Sequence, residues 1–131
     1  MIILDEQIKS RSVIRSIEVW YPGNITHIQT VRPNTVIKDD NIATLLLQAR
    51  QPIFVTINVS DFWRKINAHP QYCVIAIELI QQDYMELPGI LRPILNLPEL
   101  RTRSLRMGKV IRVRGNRVDY YGRDGQIHSI E

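Results

Sequence analysis

Met1-Ile2-Ile3-Leu4-Asp5-Glu6 is an apolar run that ends abruptly in two carboxylates. So few apolar residues make neither a signal peptide nor a membrane span, and the run is read as a first strand inside a fold. Asp5 then stands where that strand leaves the core. In open α/β sheets ligands bind at the carboxyl ends of the strands, which makes Asp5 a candidate functional residue. Its plain alternative is a turn residue or a helix cap.

Further along, Ile53-Phe54-Val55-Thr56-Ile57 and Tyr72 to Leu79 are apolar runs bounded by breakers, the pattern of strands buried on both faces. Ile25 to Val31 alternates apolar and polar residues and predicts a half-buried strand. Between these lie helical patterns over Gln7 to Trp20, over Ile42 to Arg50 with Asp39 or Asp40 as N-cap, over Phe62 to His69, and from Leu87 with Pro88 in the first turn and Pro93 as a kink. A short helix is expected from Pro98, ended by Gly108. Lys109 to Arg114 and Arg117 to Tyr121, joined by Gly115-Asn116, predict a hairpin, with a later turn at Gly125. Such alternation predicts an α/β fold in three layers with a mainly parallel sheet and a C-terminal β-hairpin.

A chain of 131 residues, 44% apolar and 23% charged, is of single-domain size and ordinary soluble composition. Cys73 is the one cysteine, so neither an internal disulfide nor a cysteine-clustered zinc site is available, and its apolar neighbours predict a buried, inert thiol in a reducing cytoplasm. Arg101, Arg103, Arg106, Lys109, Arg112, Arg114, Arg117 and Arg123 face only Asp119, Asp124 and Glu131, which leaves residues 101–131 at +5 and the first 100 at −1. A basic end on a near-neutral body suits RNA, DNA or an acidic protein; solvated charge on an edge hairpin explains it equally well.

No phosphate-binding glycine loop, dinucleotide fingerprint or nucleophile elbow is present. His27, His69 and His128 are far apart, without metal-ligand spacing, and read as surface or strand histidines. What remains is a set of acids and an amide: Asp5 after the first strand, Asp39 and Asp40 at a helix start, and Asn58 with Asp61 after the Ile53 strand. Strand ends and the starts of following helices open on one edge of a parallel sheet, so these groups are expected to converge. Oxygen-only ligands favour Mg²⁺ or Mn²⁺; three unrelated helix caps are the alternative.

The stretches Ile2-Ile3-Leu4-Asp5-Glu6, Asp39-Asp40-Asn41-Ile42, Phe54 to Phe62 and Gly108 to Arg114 resemble, in order and spacing, a PIN-like family of small bacterial proteins. In that family a strand ending in Leu-Asp-Glu-Asn opens the chain, an Asp-Glu-Glu-Ile helix follows, and Val-Thr-x-Asp-x-Asp-Phe closes the acidic site. The resemblance implies a single PIN-like domain over 1–131, with an α/β core to residue 107 and a basic hairpin tail over 108–131. It also implies a cytoplasmic Mg²⁺- or Mn²⁺-dependent ribonuclease, of the kind found as toxins of toxin-antitoxin modules. Asp5, Asp40 and Asp61 would be catalytic and hold the metal, with Asn58 and Asp39 as auxiliary ligands. Lys109, Arg112, Arg114 and Arg117 would follow the RNA backbone. Gln7 stands where the relatives have asparagine, and Asn58 replaces an aspartate, with one residue inserted before Asp61-Phe62. The amide removes a negative charge and lowers metal affinity, which implies as the alternative a catalytically degenerate module binding RNA or a protein such as an antitoxin. A third reading pairs two copies through the hairpin edge.

Overall fold

Ile2, Ile3 and Leu4, all fully buried, form β1 (Ile2–Leu4), the strand that the opening hexapeptide predicts. The computed structural model describes residues 1–8, 10–31 and 39–130, the side chains of Val31, Asp39 and Asp40 excepted. After β1 come α1 (Arg11–Glu18), β2 (Ile25–His27), α2 (Ile28–Val31), α3 (Asp39–Gln48), β3 (Ile53–Thr56) and α4 (Val59–Phe62). The second half holds β4 (Cys73–Glu78), α5 (Glu86–Leu95), α6 (Arg103–Arg106), β5 (Val110–Arg114), β6 (Arg117–Tyr121) and β7 (Ile127–Ile130). The protein is thus α/β, with seven strands and six helices among the described residues. No helix among them is long and apolar enough to cross a membrane.

All the strands join one mixed sheet in the order β2-β1-β3-β4-β5-β6-β7. The pairings from β2 through β5 are parallel, and β5-β6 and β6-β7 are antiparallel. The expected hairpin forms, with Arg114 opposite Arg117, but β5 also pairs with β4 along five residues and so belongs to the body of the sheet. Strand β7 extends the hairpin beyond what the sequence reading anticipated.

Alternation in the buried strands feeds two apolar clusters. Ile2, Leu4, Val55, Ile75 and Ile111 pack with Val13 and Ile17 of α1 and Leu87, Leu91 and Ile94 of α5. Ile3, Phe54, Val74 and Val110, one residue out of phase, pack with Ile28, Ile42, Leu46 and Phe62 of α2, α3 and α4. Cys73 lies fully buried in the first cluster, as its neighbours predicted.

Several element boundaries differ from expectation, each for a local reason. Helix α1 begins at Arg11 rather than Gln7, because the Ser10 side chain caps it by accepting the Val13 N–H. The strand expected over Ile25–Val31 stops at His27, whose Nδ1 accepts the Gln29 N–H at 3.2 Å and turns the chain into α2. The helix expected over Phe62–His69 lies earlier, capped by Asn58 and ended where Arg64 takes φ 65°. The helix expected from Pro98 begins only at Arg103, where Thr102 accepts the Leu105 N–H.

Candidate functional site

Strand order reverses direction at β1: β2 lies on one side of it and β3 on the other. That reversal opens a crevice at the carboxyl ends of β1 and β3, the place where open α/β sheets bind ligands. The residues leaving these strands are Asp5 from β1 and Thr56 with Asn58 from β3. Their backbones are locked together, since the Asp5 N–H donates to the Val55 carbonyl at 2.9 Å.

Asp5 is 5% exposed, unusual for a carboxylate that meets no cation among the described residues. Burial raises its pKa above 3.8, and two hydrogen bonds work against that rise. The Thr56 hydroxyl donates to Oδ2 at 2.6 Å and the Glu6 N–H donates to Oδ1 at 2.8 Å. Thr56 in turn accepts the Asn58 N–H at 3.0 Å. Asn58 Nδ2 then donates to Asp61 Oδ2 at 2.5 Å. A continuous hydrogen-bonded line therefore runs Asp5–Thr56–Asn58–Asp61 along this edge.

Asn58 has three tasks in that line. Its Oδ1 accepts the Asp61 N–H at 3.3 Å, capping α4, and also the Ser60 hydroxyl at 3.2 Å, while its Nδ2 engages the Asp61 carboxylate. Of the five residues expected to hold a metal, Asp5, Asn58 and Asp61 are thus brought onto one polar line. Helix α3 begins at Asp39, and the side chains of Asp39 and Asp40 lie outside the described residues. Among the described residues no group of three His, Cys, Asp or Glu is placed to hold a metal ion. Hard oxygen donors at Asp5 and Asp61 suit Mg²⁺ or Mn²⁺ in kind, with one Asp61 oxygen already engaged by the amide.

Beside this line a cleft of about 570 Å³ opens between Gln7, Asn58, Glu78, Gln82 and Tyr84. His27, at the end of β2 and in register with Leu4, also borders this edge and contributes to lowering the Asp5 pKa. The His27 Nδ1 accepts from the Gln29 N–H, and its Nε2 is buried without a partner among the described residues. Thr56 and His27 are the residues here that sequence reasoning did not select. Their relation to Asp5 depends on strand register, which no local pattern contains.

The four cations expected to follow a nucleic-acid backbone are disposed differently from one another. The Arg112 guanidinium donates to Asp119 Oδ2 at 3.0 Å and lies 4.3 Å over the Trp63 ring. Arg117 Nε donates to the same carboxylate, and Ser129 Oγ donates to its Oδ1 at 2.7 Å. Asp119 is 1% exposed, and the Ser129 hydrogen bond, followed by Arg112 and Arg117, holds its pKa below the usual range. Lys109 Nζ donates to the Glu99 carbonyl at 3.2 Å and stands 4.7 Å over Tyr120. Arg114 is exposed at the hairpin turn.

Compared with family models, curated proteins and solved structures, the chain gives no match, so its functional reading rests on its own residues.

Proposed function

We propose that the chain is a PIN-like domain with the three-layer α/β/α arrangement of that family, acting as a Mg²⁺- or Mn²⁺-dependent ribonuclease. The observation that carries this reading is Asp5: a buried carboxylate at the strand-order reversal, held by Thr56 and without a cation partner among the described residues. Asp5, Asp40 and Asp61 would hold the ion, with Asn58 and Asp39 as auxiliary groups. A bound divalent ion supplies an activated water and neutralises charge developing on the phosphoryl group. Thr56 fixes the Asp5 carboxylate in one orientation, and Asn58 does the same for Asp61. RNA is the substrate class that the basic segment 101–131 suits, and a small acidic protein such as an antitoxin suits it as a partner.

The test is calorimetric titration with Mn²⁺ alongside cleavage of a labelled RNA, with wild type and Asp5→Asn compared. Metal-stimulated cleavage that Asp5→Asn abolishes is expected. Metal-independent cleavage, or cleavage unchanged by the substitution, overturns the reading.

One contact favours a second reading, a degenerate module that binds without cutting. Asn58 Nδ2 places a donor against Asp61, where an aspartate would place a second negative charge needing a cation. In that case wild type shows no Mn²⁺ heat, and Asn58→Asp creates it.

A further inference from the structure

At the opposite edge of the sheet, where the parallel strands begin, a second cleft of about 550 Å³ has a different chemistry. Its walls come from the segment before β2, with Trp20, Tyr21 and Gly23, and from the segment before β5, with Arg101, Arg103 and Arg106. None of its described lining residues is acidic. Among the described residues, none of the three guanidiniums meets a carboxylate.

The cations are held together by the fold rather than by counter-charge. Arg103 donates to a neutral partner, Gln51 Oε1, at 3.3 Å. Arg106 Nε is buried with no hydrogen-bond partner among the described residues, an uncompensated donor in the half-buried member of the trio. Arg92 adds a further cation on this side, 6.0 Å over the Trp20 ring. Clustered like charges cost free energy, and an anion bound among them relieves that cost. Planar guanidinium forks match phosphate oxygens in particular.

The aromatic wall narrows the class of anion. Trp20 and Tyr21 stand edge to face with centroids 6.3 Å apart, and they supply flat apolar surface next to the cations. Gly23 keeps that wall in place: a Cβ there would come within 2.7 Å of the Tyr21 ring. Phosphate-binding cations beside partly exposed rings are the combination that holds a phosphate together with a stacked base. The volume also lies within the range of small-molecule sites.

We propose that this cleft binds a phosphorylated nucleotide, its phosphate held by Arg101, Arg103 and Arg106 and its base packed against Trp20 and Tyr21. A free nucleotide and the phosphorylated end of a strand present the same chemistry. The site is separate from the Asp5 edge and does not depend on cleavage there.

Trp20 makes the proposal measurable. ADP is titrated in EDTA while tryptophan fluorescence is followed, so that no divalent ion links the result to the acidic edge. Saturable quenching is expected, stronger for ADP than for inorganic phosphate or adenosine. Trp20→Phe should remove the signal while calorimetry still detects binding. Arg101→Gln/Arg103→Gln changes two exposed side chains and should retain the native circular dichroism spectrum. It should weaken ADP binding about tenfold or more, the scale of losing hydrogen bonds to a charged group. A 5′-phosphorylated dinucleotide that competes with ADP identifies strand ends as ligands of the same site, and failure to compete assigns the site to free nucleotides. Absence of saturable ADP binding overturns the proposal. So does ADP affinity unchanged in the double arginine variant, or inorganic phosphate binding as tightly as ADP.

Discussion

Asp5→Asn should make the protein more stable near neutral pH, and the gain should depend on pH in a defined way. Burial raises the Asp5 pKa in the folded state above 3.8, its ordinary value, which the unfolded chain retains. As pH rises past 3.8, unfolded molecules release this proton first, and between the two values the folded state binds more protons. Stability therefore falls with pH across that window and levels off above the folded pKa. Each pH unit of window removes about 1.4 kcal/mol. An asparagine has no such term, so it should match wild type at the acidic end and gain on it until the plateau. The opposing contribution is the Thr56 hydrogen bond to the carboxylate, worth about 1.5–3 kcal/mol for a charged acceptor. Burial is the largest cause of the shift, so desolvation should win. Thr56→Val should extend the window upward, because it deletes one of the two bonds that hold the pKa down. The assay is urea denaturation of both variants and wild type from pH 4 to 8, with midpoints converted at constant slope. Asp5→Asn less stable than wild type, with the deficit growing as pH rises, would refute the reasoning and make Asp5 a structural anchor.

Three further outcomes follow from the packing. Asp119→Ala should cost about 3–5 kcal/mol in urea denaturation, because it leaves the half-buried Arg112 guanidinium, packed over Trp63, without its buried counter-charge; a loss under about 1 kcal/mol would contradict that assignment. Phe62→Ala removes a 2% exposed ring set edge-on to Phe54 at 5.3 Å, and should cost about 3–5 kcal/mol by the same assay. Cys73, with its thiol pushed up to about 12 by burial, should resist iodoacetamide at pH 8 in the native protein and react only after denaturation.

The parts of the fold that could be read from sequence were those whose pattern is complete within a few residues. Apolar runs such as Ile2–Leu4, Ile53–Thr56 and Cys73–Glu78 announce buried strands because both faces must be apolar. Gln7 and Ile8 continue a helical spacing and mislead, since the Ile8 N–H turns back to the Asp5 carbonyl at 2.9 Å before Ser10 caps the helix. Strand β7 escapes because its burial comes from β6 and only Ile130 is buried. Asp5 was legible as the polar end of a strand. Its partner Thr56 was not, since 51 residues separate them. The arginine cleft was likewise hidden, because segments around residues 20 and 100 meet only when the sheet forms.

The insertion of β5 between β4 and β6 governs what happens to a shortened chain. Ending translation before Lys109 would not leave a trimmed, soluble core. It would strip β4 of its neighbour along Val74 to Glu78 and turn a run that is apolar up to Ile77 into a bare sheet edge. Such an edge templates addition of further chains. Truncated protein should accumulate as insoluble aggregate, and the basic C-terminal segment is in that sense the gatekeeper of the rest of the fold.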